Sequence, residues 1–225
     1  MGGTIKMINF FTAFQNLIYP ELLNTLNMVI QSTIYSILLG VIPAIVLVVT
    51  SSDGLRPNKF IYSTLDFIVN TLRSFPFIIL LVALLPLTRL LIGTTIGPTA
   101  AIIPLSIGAA PFTARVIETA LLDIDKGVID AAKSFGCSDF QIIFRIMFKE
   151  ALPSIILGIT LTVISIVGYS AMAGVIGGKG LGDLALQYGY YRFQTDILIY
   201  TVIVLIIVVQ VFQTIGNLVY KLVNK

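Results

Sequence analysis

Leu22 to Ser52 reads LLNTLNMVIQSTIYSILLGVIPAIVLVVTSS, an uncharged run closed off by Glu21 and Asp53. A helix needs about 20 mainly apolar residues to cross the hydrocarbon core of a bilayer, so this run can span with length to spare. The same test, applied outward, finds four more runs. Phe60 to Thr88 is apolar apart from Asp66 and Arg73, and Leu90 to Ala114 is uncharged but carries Pro98, Pro104 and Pro111. Ala151 to Gly178 ends in a glycine cluster, and Ile197 to Tyr220 is rich in Ile and Val. None shows the alternation of a transmembrane barrel strand. The expected fold is all-α: one polytopic membrane domain over 1–225, with five transmembrane helices at about 22–52, 60–88, 90–114, 151–178 and 197–220.

Composition agrees. Of 225 residues 57% are hydrophobic and 11% charged, far from the balance of a soluble domain. Cytoplasmic loops keep positive charge. With the N-terminus outside, Arg56, Lys59, Arg115, Lys126, Lys133, Arg145, Lys149, Lys221 and Lys225 fall in the cytoplasm, against Lys6, Arg89, Lys179 and Arg192 outside. The expected topology is N-out and C-in. The net charge of +3 then belongs to loops facing anionic lipid, and no nucleic-acid partner is expected. The first twenty residues lack a cleavable signal's compact apolar core, and Lys6 breaks the myristoylation pattern. Cys137 is the single cysteine, so no disulfide or cysteine metal site is expected within one chain. With no histidine, Ser-His catalysis and most zinc sites drop out as well.

Charge concentrates between the third and fourth runs, in a loop expected over 115–150. Asp125 is placed to cap a short helix through Val128, Ala131, Ala132 and Phe135, which Gly136 would end in a left-handed conformation. Ser138-Asp139-Phe140-Gln141 has capping-box spacing, so a second helix starts at once, with Ile142, Ile143, Ile146 and Met147 as its apolar stripe. Such a pair can lie on the lipid interface or dock into a protein groove. The small Ala131-Ala132 surface before a turn glycine suits a groove.

The segment resembles the cytoplasmic motif of ATP-binding-cassette importer permeases: Glu-Ala-Ala, three residues, Gly, nine residues, Ile, one residue, Leu-Pro. Asp130, Ala131, Ala132, Gly136 and Ile146 match it, with Asp for Glu and Phe148-Lys149 for Leu-Pro. The segments 73–80, 86–89, 107–112, 168–174, 180–183, 188–190 and 192–193 resemble the methionine-import branch of that family. Lys179 stands where that branch usually has glycine.

The resemblance implies a non-enzymatic permease subunit of a bacterial cell membrane importer for methionine, L- and possibly D-, working by alternating access. It implies a homodimer, two cytoplasmic ATPase subunits that hold the ATP and magnesium, and an extracytoplasmic substrate-binding protein. This chain itself would carry no cofactor. Asp130, Ala131, Ala132, Ser134, Phe135, Gly136 and Ile146 would form the coupling helix. A permease for another small solute or amino acid is the alternative reading.

Asp66 and Arg73 lie seven apart on one helix face; Asp66 is expected near the surface and solvated, Arg73 deeper. The three prolines are expected to interrupt the third span. Tyr169, Ser170 and Met172, in a stretch able to unwind, are pathway candidates together with Arg73. Ala173 to Gly180 ends Gly-Lys-Gly like a phosphate loop but lacks Gly at 173 and Ser or Thr at 180. Gly180-Leu181-Gly182-Asp183 matches an intramembrane aspartyl protease signature whose second carboxylate is missing, since Asp66 follows Leu65 rather than Tyr.

Overall fold

The computed structural model describes residues 10–224, and among them all regular structure is helical. Residues 1–9 and Lys225, on which the signal and lipid-anchor expectations and part of the charge count fall, lie outside the described residues. The chain enters through Phe10–Ala13 and a π-helical turn, Phe14–Ile18, into α1 (Tyr19–Thr50). Then come α2 (Lys59–Ser74), α3 (Phe77–Ala83), α4 (Leu85–Ile92) and α5 (Pro98–Leu122). Next are α6 (Lys126–Ser134) and α7, 139–150, which passes through a π-helical turn at Ile142–Met147. The chain closes with α8 (Leu152–Ala173), α9 (Leu181–Leu184) and α10 (Thr195–Val223). Among the described residues four helical stretches are long and apolar enough to cross a membrane, or five if the broken pair α2 and α3 counts as one span.

Span boundaries differ from expectation in two places, each for a physical reason. The run 60–88 is not one helix. It breaks at Phe75 and Pro76, both extended, because a proline disfavours the helical conformation of the residue before it. The run 90–114 is displaced to 98–122. Gly93 (φ +84°) ends α4, Gly97 (φ +104°) prepares the next start, and Pro98 opens α5, where its missing N–H is harmless. Pro98 therefore starts this helix, and the chain stays helical through Pro104 and Pro111 instead of being interrupted. At its other end α5 continues past Ala114 through Arg115 and Glu118, which form an ion pair.

The chain divides into two compact units. The first comprises 1–32, 76–105 and 164–211, and the second 33–75, 106–163 and 212–225. In the first, Met28, Leu81, Ala101, Ile102, Leu105 and Ala173 make one buried cluster. Its connecting loop is fixed by hydrogen bonds: Gly97 N–H donates to Gly177 O at 2.9 Å, Gly180 N–H to Glu21 Oε2 at 2.6 Å and Leu181 N–H to Thr25 Oγ1 at 2.8 Å. These satisfy backbone groups that irregular chain would otherwise leave bare in an apolar setting.

The core of the second unit includes Leu47, Val48, Val69, Ile117, Leu121, Ala132, Ile142, Met147 and Ile155. Helices here approach closely through small residues. A Cβ on Gly158 would stand 1.8 Å from Val116 Cγ1, so only glycine admits that crossing of α8 over α5.

Lys179 has φ +59°, a left-handed conformation that costs a residue with a Cβ roughly 1–2 kcal/mol. Lys179→Gly is expected to raise the melting temperature in detergent by a few degrees, corresponding to about 1 kcal/mol after glycine's extra unfolded-state entropy is deducted. A fall on thermal unfolding would contradict this.

Candidate functional site

The helix-turn-helix corner is built by local capping. Asp125 precedes α6 and its Oδ1 accepts the Gly127 N–H at 2.6 Å. At the other end Gly136 N–H donates to Lys133 O (2.9 Å) and Cys137 N–H to Ala132 O (3.2 Å), the paired bonds of a Schellman turn, with Gly136 at φ +74°. Helix α7 begins at Asp139, with only Ser138 between it and Cys137. Ser138 Oγ accepts from Gln141 N–H, and Gln141 Oε1 accepts from Ser138 N–H, closing a capping box.

The corner has two faces. Ala132, Ile142 and Met147 are buried in the second unit's core, with Ile129, Cys137, Ile143 and Ile146 packed against it. Asp130, Ala131, Ser134, Phe135 and Gly136 are exposed, Phe135 at 87%. Of the seven candidate coupling residues, Ala132 and Ile146 thus anchor the corner and five remain on its free face. Sequence reasoning missed an aromatic ladder beside them. Phe140, Phe144 and Phe148 recur at helical spacing, with successive ring centroids 4.6 and 5.6 Å apart. Phe140 and Phe144 are exposed. Large apolar groups in water at a surface corner are the usual anchors of a protein interface.

The family model for binding-protein-dependent transport system inner membrane components matches residues 36–225. The chain belongs to this family. It is 42% identical over 214 residues, 95% of both chains, to a protein of Vibrio cholerae named a probable D-methionine transport system permease protein, MetI. It is 44% identical over 179 residues, 80% of this chain and 81% of the relative, to the Bacillus subtilis methionine import system permease protein MetP. Among solved structures, an inward-facing form of the MetNI methionine ABC transporter superposes with a TM-score of 0.92 at 39% identity, covering 94% of this chain and 98% of the other.

Within this family member the expected pathway residues occupy different surroundings. Tyr169 stacks on Phe77, ring centroids 4.3 Å apart and planes 12° from parallel. Helix α8 stays regular through Ala173, so Ser170 and Met172 face differently: Ser170 is buried and donates to Val167 O at 2.7 Å, whereas Met172 is exposed. Arg73 is exposed in the last turn of α2.

Asp66 departs from expectation. Its carboxylate pairs with Arg115 and also accepts from Asn70 Nδ2 at 3.1 Å, so it is not a free, solvated group. Arg115 also donates from Nη1 to Glu118 Oε2 at 2.7 Å. Glu118 is 3% exposed, and that guanidinium is its ion-pair partner. Asp183 sits in α9 beside Gln187, Lys179 and Glu21. Burial pushes its carboxyl above the ordinary range, the Gln187 hydrogen bond opposes this, and the nearby Glu21 charge adds to it.

Arg115→Ala leaves Glu118 buried without its partner and is expected to cost about 3–5 kcal/mol, read as a large fall in melting temperature. Glu118→Gln, which removes the buried carboxylate charge and leaves Arg115 paired with Asp66, is expected to cost less in the same assay.

Proposed function

We propose that this chain is the permease subunit of a methionine importer, and that Asp130 to Gly136 is its coupling helix. Extensive identity to permeases named for methionine transport carries the substrate assignment. The capped corner, with a left-handed glycine at its apex and exposed Phe135, Phe140 and Phe144, supports a docking role. On this reading two copies of the chain form the path and two ATPase subunits seat on the corners. ATP and magnesium belong to those subunits, which hydrolyse the nucleotide, and a separate extracytoplasmic protein delivers the substrate.

The proposed topology is N-out and C-in. Among the described residues the second unit carries Arg56, Lys59, Arg73, Arg115, Lys126, Lys133, Arg145, Lys149 and Lys221, while the first carries Arg89, Lys179 and Arg192. Positive charge retained on one side favours that side as cytoplasmic.

The chemistry follows from the substrate class. A zwitterionic amino acid cannot cross hydrocarbon cheaply, so the subunits must enclose a polar route open to one side at a time. Nucleotide binding in the partner would bias that two-state equilibrium through differential contacts at the corner. Arg73, Tyr169, Ser170 and Met172 are the residues proposed to border the route. A permease for a different small solute would share the same corner, and competition by unlabelled solutes separates the two readings. An aspartyl protease would need two carboxylates sharing a proton. Asp66 is instead bound to Arg115.

Radiolabelled methionine uptake in transporter-deficient cells, with the ATPase and binding protein co-expressed, is expected to be ATP-dependent and competed by methionine. A stable ATPase-bound complex without methionine uptake would redirect the substrate assignment. Gly136→Asp is expected to abolish uptake while the protein still inserts, because φ +74° strains any residue with a Cβ and the corner must meet its partner there. Wild-type uptake by this variant would remove the corner from the coupling route.

A further inference from the structure

The loop between α1 and α2 is short and firmly attached at both ends. Gly54 N–H donates to Ser51 O at 3.0 Å, Arg56 N–H to Val49 O at 2.9 Å and Asn58 N–H to Thr50 O at 3.0 Å. Asn58 also caps α2, its Oδ1 accepting from Phe60 and Ile61 N–H at 3.1 Å each. Leu55 packs against the second unit's core. A displacement of this loop is therefore a displacement of the end of α1 and the start of α2.

Two ion pairs join the loop to the corner. Lys126 Nζ donates to Asp53 Oδ2 at 2.8 Å, and Arg56 Nε donates to Asp139 Oδ2 at 2.5 Å. Lys126 is the first residue of α6 and Asp139 the first of α7, so the loop holds both arms of the corner by their starts. A cavity of about 880 Å³, lined by Asp53, Leu55, Tyr62, Leu121, Lys126 and Ile129, opens between loop and corner, where continuous packing would otherwise join them. The side chains of the four paired residues are 38–78% exposed, and exposed pairs add little to folding stability. Their consequence is geometric: relative rotation of loop and corner would stretch both pairs at once. The Asp53 carboxyl is held below its ordinary range by the Lys126 hydrogen bond and charge, so its pair is intact at neutral pH and lost only in strong acid.

We propose that the 51–58 loop is a second coupling element, in which Asp53 and Arg56 lock α6 and α7 to the α1–α2 connection so that both move as one body. Force received at the corner then enters α1 and α2 directly, besides passing along α5 and α8. This inference rests on the coupling reading of the corner.

The test uses the reconstituted complex of permease, ATPase and binding protein in liposomes, with Cys137→Ala as background. Asp53→Cys and Lys126→Cys are joined by a short, reducible bis-thiosulfonate crosslinker. Groups that travel together tolerate a tether, and the tether replaces the Asp53–Lys126 pair that the two cysteines remove, so uptake at or above the untethered rate is expected. Arrest by the tether, reversed by reductant, would mean that loop and corner separate during the cycle and would overturn the proposal. In a second arm Asp53→Lys with Arg56→Glu is expected to lower uptake per ATP hydrolysed several-fold, and adding Lys126→Glu with Asp139→Arg to restore it. An unchanged ratio would equally overturn it. Gly136→Asp run alongside separates the two failures. If that variant transports normally, the coupling reading itself falls; if it is blocked while the loop variants couple normally, only the role of the loop falls.

Discussion

Hydrocarbon offers no hydrogen-bond partner, and the structure is shaped by what the chain must therefore supply for itself. Long helices meet the demand within their own backbone. Wherever they stop, another group takes up the load. Gly97 reaches Gly177, and the loop beyond α8 is received by Glu21 and Thr25. At the corner, where regular helix stops before α6 and again before α7, side-chain caps and a left-handed glycine do the same work. The turns are thus as strongly specified as the helices.

Charge obeys a related rule. Arg115 stands between Asp66 and Glu118, and the grouping makes tolerable what each residue alone would make costly. Glu118 is almost wholly buried, yet its helix runs on for another turn. Neutralisation at short range lets polar residues persist inside an apolar unit, and it ties α2 to α5 within the second unit.

Legibility in the sequence followed from range. The corner could be read residue by residue because its determinants lie within four positions of one another: Asp125 with Gly127, Ser138 with Gln141, and Gly136 with Lys133. The presence of membrane spans was legible for the same reason, since apolarity is a property of each run. Their limits were not. Counting between charges placed the end of the third run at Ala114, because nothing local announces that Arg115 is balanced by Asp66, 49 residues away. The break at Phe75 was obscured by apolar residues continuing on both sides of it. The aromatic ladder of α7 was overshadowed by the isoleucines that share the helix. A π-helical turn there widens the spacing on which a 3.6-residue reading relies.

The free face of the corner has a consequence for biosynthesis. Phe135 and Phe140 are 87% and 67% exposed on a segment that no described residue covers, and both would remain wetted on any copy lacking a docked neighbour. On the proposed docking role, a subunit made in excess of its neighbour would carry an exposed aromatic patch, open to aggregation and to surveillance by chaperones and proteases. The same aromatics suited to assembly would then shorten the lifetime of orphan copies, favouring matched synthesis of the subunits over abundance of any one.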